Sequence, residues 1–288
     1  MNTRIDNRIK KAILTETEKK VAEYISKNFV NVCAMSALSL GEKIGTSDTS
    51  VIRTARKLGF TGYSDMQSFL ASTMQEEIAR SGGINFLPPA ARLDKKRDLI
   101  NAPDLYQQVM QKINHNIDTI FEKNAEDVFT SAAEIILSSQ RKFVMGFRGC
   151  ASMAQLLGGC LNDVLKDVHT VTDADSRAIG AVLDIGRKDC LIAISYPRYA
   201  HMIFTAIEIA KKADARIIVL TDKLTAPMTK HSDVVLLSEV DSATINNSYV
   251  APNVIVEILM AAVYRNLDEK GRARLEELER YISEKGLY

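Results

Sequence analysis

The sequence predicts an all-α helix-turn-helix domain followed by an α/β three-layer (αβα) domain built on a five-stranded parallel sheet. Three observations carry this prediction. Up to residue 79, apolar residues recur at three- and four-residue spacing, with capping residues and glycines between the runs, as in short helices. From Lys142 onwards, short and nearly continuous apolar runs alternate with helical patterns, which is how parallel strands covered on both faces read. Between the two, residues 80–103 (RSGGINFLPPAARLDKKRDLINAP) combine Gly-Gly, Pro-Pro and a charge run, the composition of a linker. The expected organisation is 1–79 for the helix-turn-helix, 80–103 for the linker and 104–288 for the α/β domain.

A chain of 288 residues has room for two cores. Its net charge of +1 hides an asymmetry: residues 1–75 hold eleven Lys/Arg against seven Asp/Glu, and the remainder 26 against 29. The basic surplus sits where a polyanionic partner would need it. Cys33, Cys150, Cys160 and Cys190 show no C-x-x-C spacing and no clustering with histidine, so free thiols are expected, with no metal site and no cofactor. The N-terminus lacks an apolar signal core, and the longest apolar run, Val254 to Tyr264, is too short to span a bilayer. The expected location is the cytoplasm, with no membrane partner.

In chain order, Thr15-Glu16-Thr17-Glu18 starts a helix with Val21, Ala22 and Ile25 on one side. Ser36 caps a second helix to Ile44, with Leu38, Leu40 and Ile44 read as its inward stripe, and Gly45 ends it with a positive φ. Ser47 caps a third, in which Val51, Ile52, Ala55 and Leu58 face inward until Gly59. Gly62 turns the chain, and Ser64 is the expected cap of a helix running to about Ile78. The middle pair follows helix-turn-helix grammar. The exposed residues of its second helix, Ser47, Asp48, Thr49 and Ser50 at the tip followed by Arg53, Arg56 and Lys57, suit a B-DNA major groove. Short side chains allow approach to base edges, and cations bond guanine or clamp phosphate. Asp48 either accepts from cytosine or repels the backbone. Ser47, Thr49, Ser50 and Arg53 are the expected base readers, with Arg56 and Lys57 on phosphate.

From Asp104 the pattern is helical, with Leu105, Val109, Ile113 and Ile117 on one face and a further helix from Ala125 to Ser138. The strand candidates are FVMGF, VHTVT, CLIAIS, RIIVLTD and DVVLLSE, with helices near 152–166, 175–183 and 200–212, and one long helical tail from Ala251. Ligands of such sheets collect beyond the C-terminal strand ends. The residues to read there are Gly146, Arg148, Cys150 and Ser152 after the first strand, Ser195 and Arg198 after the third, and Thr221 and Asp222 after the fourth. Amides, hydroxyls and two arginines on one edge would bind a small anion. The alternatives are a tight turn for the glycines, interface or surface ion pairs for the arginines, and local loop bonding for Thr221 and Asp222.

The order of parts resembles the RpiR family of bacterial transcriptional regulators, through LTETEKKVAEYISKN, then MSALSLGEKIGTSDTSVIRTARKLGFTGYSDM with its R-K-L-G-F-x-G-[FY] phrase at Arg56 to Tyr63. Thr46 and Thr54 stand where that family usually has apolar residues. The resemblance implies a dimeric or tetrameric regulator that binds a double-stranded DNA operator, with a sugar isomerase (SIS) domain that senses a phosphosugar. Phosphosugar-binding members show G-x-G-x-S and S-x-S-G-x-T loops. Here Arg148 and Cys150 replace the second Gly and the Ser of the first loop. In the second, Ser195 is kept while Pro197, Arg198 and Ala200 replace Ser, Gly and Thr. The expectation is that arginines replace the hydroxyls as anion binders for a sugar phosphate or sugar acid, with a carboxylate, a different phosphate ester or no ligand as the alternatives. The competing expectation is an aldose-ketose isomerase with Glu257 or His231 as base.

Overall fold

The computed structural model describes residues 3–28, 32, 35–82 and 84–286, and the chain divides into two units, 1–87 and 88–288. Cys33 lies outside the described residues.

The first unit is helical. Helix α1 (Thr3–Lys11) precedes α2 (Glu16–Lys27), α3 (Ala37–Ile44), α4 (Asp48–Lys57) and α5 (Tyr63–Gly82). A capping box opens α2: the Thr15 amide donates to Glu18 Oε2 at 2.8 Å and the Glu18 amide to Thr15 Oγ1 at 3.5 Å. Ser36 caps α3, and Gly45 ends it at φ 75°, a left-handed conformation that glycine adopts without steric cost. Ser47 caps α4. The core closes over Val21, Ile25, Leu40, Val51, Ala55 and Met66.

Two expectations are corrected here. Leu38 is 59% exposed; it stands two residues from buried Leu40, about 200° round the helix, so the two cannot share an inward stripe. Ser64 does not cap α5. That helix begins one residue earlier, where Asp65 accepts from the Thr61 amide at 2.8 Å, and it runs on to Gly82. Helix α1 adds a layer to this core: it buries Ile5 and lays the Arg8 guanidinium 4.5 Å from the Phe60 ring and 5.0 Å from Phe69, with Arg8 donating to Leu58 O.

The second unit opens with α6 (Pro89–Ile100), then α7 (Leu105–Asp118), α8 (Ile120–Lys123) and α9 (Glu126–Ser138). The α/β part follows as β1 (Lys142–Gly146), α10 (Ala151–Val164), β2 (Val168–Val171), α11 (Ser176–Val182), β3 (Cys190–Ile194), α12 (His201–Lys212), β4 (Arg216–Thr221) and β5 (Val234–Leu237). Helices α13 (Val250–Arg265) and α14 (Glu269–Lys285) end the chain. All five strands are parallel in the order β2-β1-β3-β4-β5, so the chain leaves β1 in one direction and returns to pair β3 on its other side. Alternate residues face opposite layers: Val144, Ile192 and Ile218 pack with α9, α10 and α13, while the residues between them face the layer holding α12.

The segment read as a linker is corrected by α6. Pro89 occupies the first helical turn, where its missing N–H costs nothing, and the helix is tied to the second unit by buried Arg92 and Lys96. Arg92 donates to Ile245 O at 2.8 Å, and Lys96 to Thr244 O at 3.0 Å and to Ser242 O. The helical tail is likewise two helices. Asp268 caps α14 by accepting from the Gly271 amide at 2.9 Å, and the axis turns by 111°.

Candidate effector cavity and nucleic-acid interface

On α4, Ser47 Oγ accepts from the Ser50 amide at 3.2 Å and lies 3.0 Å from Ser50 Oγ. Asp48 Oδ1 accepts from the Thr49 amide at 2.6 Å and from Thr49 Oγ1 at 3.2 Å. The acidic side chain is thus folded onto the first turn, where the helix dipole favours it. Ser47, Asp48, Thr49, Arg53 and Arg56 are exposed and Ser50 half-buried. Lys57 is held away from the tip: its Nζ donates at 2.7 Å to Oε2 of Glu18, which is 3% exposed. That bond, reinforced by the Thr15 amide, holds the Glu18 carboxyl below its ordinary range. Thr54 is buried, with its hydroxyl donating to Ser50 O at 2.8 Å. A polar group in an apolar position is thereby satisfied rather than left as a defect.

In the second unit the crevice beyond β1 and β3, where the strand order reverses, holds a cavity of about 410 Å³. Four segments line it: Pro89 and Arg92 of α6, 147–150 after β1, 195–200 after β3, and 245–249 before α13. Of the expected effector residues, Arg148, Cys150, Ser195 and Arg198 line it. Two glycines shape the first loop. A Cβ at Gly146 would stand 2.5 Å from Cys150 O, and one at Gly149 would stand 2.4 Å from the Tyr249 hydroxyl. Arg148, between them, takes a positive φ of 58°, which costs a non-glycine residue backbone strain.

Two hydroxyls of the site already have protein partners. Ser195 is buried and its Oγ accepts from the Ala200 amide at 3.3 Å, closing the loop on itself. The Tyr196 hydroxyl pairs with Ser238 Oγ at 2.7 Å. Burial pushes the Cys150 thiol up to about 11, so it stays protonated at neutral pH and is no nucleophile. The charged residues that line the cavity are all positive: Arg92, Arg148 and Arg198. Arg92 is 5% exposed and also donates to Asn247 Oδ1 at 3.0 Å, while Asn247 Nδ2 donates to Pro197 O. Burial lowers the Arg92 pKa, and the positive charges of Arg198 and Arg148 lower it further against the opposing influence of Tyr249. No acidic side chain occurs among the described lining residues.

Gly146, Ser152, Thr221 and Asp222 do not line the cavity. Gly146 lies beneath the loop, and Ser152 faces solvent on α10. Thr221 and Asp222 follow β4, one strand beyond the reversal, and Tyr199 donates to Asp222 Oδ1 at 2.7 Å. Sequence reasoning missed Arg92, Asn247 and Tyr249. Pro88-Pro89 at the head of a charged stretch was the one available signal that a helix begins there.

These features define a two-domain chain with a helix-turn-helix head and a doubly wound α/β body carrying an anion-type crevice. Residues 1–77 match the helix-turn-helix domain of the rpiR family and residues 135–262 match the SIS domain. The chain thus joins an rpiR-family helix-turn-helix domain to a SIS domain. It is 26% identical over 261 residues to an HTH-type transcriptional regulator of Caldanaerobacter subterraneus, covering 86% of each chain. Its fold is similar to that of the sugar isomerase domain of an RpiR transcription factor from Sphaerobacter thermophilus, with TM-score 0.59, 23% identity, and coverage of 62% of this chain and 99% of that one. It is also similar to the Vibrio vulnificus NanR protein complexed with ManNAc-6P, with TM-score 0.51, 16% identity and 97% of both chains.

Proposed function

We propose that this chain is an RpiR-family transcriptional regulator in which α4 reads an operator and the cavity at β1 and β3 senses a small anionic metabolite, a sugar phosphate or sugar acid. The observation that carries the sensor reading is the gathering of Arg92, Arg148 and Arg198 around one cavity with no acid among its described lining residues. The ManNAc-6P complex of the structurally similar NanR protein supports a phosphorylated ligand of sugar size. On α4, exposed Arg53 and Arg56 behind a tip of short polar side chains support groove binding. Two such heads on a homodimer or homotetramer would read half-sites about 34 Å apart. The protein works where its DNA is, in the cytoplasm; no single helix among the described residues is long and apolar enough to cross a membrane.

An isomerase needs a base beside its substrate. Glu257 is exposed on α13, and neither it nor His231 lines the cavity, whose described residues include no carboxylate or imidazole. We therefore read the cavity as a sensor. The test is duplex affinity against salt and ligand: log affinity should fall with log salt at a slope of about −0.9 per phosphate contacted, and a sugar phosphate should change that affinity. A flat salt dependence removes the DNA reading. An unaltered affinity with ligand bound removes the regulatory one, since a ligand acts only through a different affinity for two states.

A further inference from the structure

Helix α14 has an apolar face with little to cover it. Of its 17 residues only Gly271 is buried, whereas a helix in water owes most of its stability to the packing of such a face. Gly271, Leu275, Leu278 and Ile282 recur at spacings of four, three and four, the seam of a two-stranded coiled coil. The seam begins against the protein's own body: a Cβ at Gly271 would stand 2.4 Å from the Leu267 side chain and 3.1 Å from Val164 O. Beyond it Leu275 is 45% exposed, Tyr281 beside the seam is 49% exposed, and Leu278 and Ile282 are half-buried.

The charges of α14 point to what covers that seam. Lys270, Arg272 and Arg274 stand against Glu269 in its first seven positions, and Glu276, Glu277, Glu279 and Glu284 against Arg280 and Lys285 in the rest. This order opposes the helix dipole, which favours acids at the N-terminus and cations at the C-terminus. It suits a second α14 running the other way, basic half on acidic half. In that pairing Leu275 meets the partner's Leu278, and Arg272, flanking the seam, meets the partner's Glu279, with both contacts repeated by symmetry. The pair Arg272 makes along its own helix, with Glu276 at 3.1 Å, is solvent-exposed and exchanges readily. Parallel pairing fails on two grounds. It would bring both bodies onto the Gly271 face, and its flanking pair would need Arg274, which already donates to Asn162 O at 2.9 Å.

We propose that α14 is a self-association surface whose occupant is the α14 of a second copy of this chain. The two helices pack antiparallel through Leu275, Leu278 and Ile282, and the reciprocal pairs of Arg272 with the partner's Glu279 fix their register.

The experiment uses the full chain with Arg272→Lys, which keeps the charge and supplies an amine, as an equal mixture of heavy-isotope-labelled and unlabelled protein. A carbodiimide joins an amine to a carboxylate in ion-pair contact, forming an amide with loss of water. Mass spectrometry should find position 272 joined to Glu279 in peptides of mixed isotope composition, which only two chains can give. Links confined to one isotope would overturn the proposal. Sedimentation equilibrium is the second measurement. Arg272→Glu and Glu279→Arg should each weaken self-association about tenfold, since each turns two attractive pairs into two repulsive ones, and the two together should restore it. Positions 272 and 279 lie two turns apart on one helix, so restoration has no intrachain explanation. Equal association constants for the unaltered chain and all three variants would overturn the proposal, with the operator and sensor readings left standing.

Discussion

At the scale of single residues, the interface on α4 is sorted by what each side chain is already doing. Arg53 and Arg56 are exposed, whereas Lys57 is tied to Glu18. Arg53→Ala is expected to relax operator preference, measured as the ratio of specific to nonspecific affinity. Arg56→Ala should weaken all sequences alike and reduce the salt slope by about one. Lys57→Ala should act on stability instead, lowering it by about 1 kcal/mol, because a half-exposed partner is screened by solvent. The sign with pH follows from Glu18. Its folded pKa lies below the ordinary 4.5, so its stabilisation is present above that value and is lost as pH falls through the folded pKa. The protection factors of the α2 and α4 amides, which are corrected for the intrinsic fall of exchange with pH, should therefore drop as pH falls below about 4.5, and Glu18→Gln should remove this contribution. None of this pairing was legible in the sequence, because Glu18 and Lys57 are 39 residues apart and meet only when α2 packs on α4.

At the scale of elements, the turn from β1 into α10 depends on two glycines for different reasons. Gly146→Ala would drive a Cβ into the Cys150 carbonyl, a backbone atom that cannot swing aside, and should cost about 1–3 kcal/mol of stability in urea unfolding. Gly149→Ala would meet the Tyr249 ring instead, displacing a side chain of the cavity wall. It should weaken ligand binding more than stability, as read by the ligand-induced rise in melting temperature. All five strands of the α/β part and the helices between them were legible because their apolar periodicities differ. The helix α6 was not, since a short charged run after Pro-Pro reads the same whether it is solvated or docked. Its Arg92 and Lys96 find their acceptors about 150 residues downstream, in the segment 242–247. A chain cut at 104, where the sequence places the α/β domain, should bind anionic ligands more weakly than one cut at 88. Calorimetry on the two fragments checks this, and equal affinities would take Arg92 out of the site.

At the scale of the whole molecule, the two units divide the work by their surfaces: short polar tips and arginines on α4, and an arginine-lined crevice where the strand order reverses. The sequence by itself determined both fold classes, the strand identities, the caps of α2, α3 and α4, and the loops after β1 and β3, because these follow from local spacing and local conformational preference. It also showed that the hydroxyls expected of a phosphosugar loop had given way to Cys150, Pro197 and Ala200, with Arg148 and Arg198 standing at its glycines. Only the tertiary structure decided which charged groups meet. It drew Lys57 to Glu18 and left Thr221 and Asp222 one strand beyond the crevice. It also brought Arg92 from a presumed linker to the cavity, through contacts between residues far apart in the chain that no local pattern records.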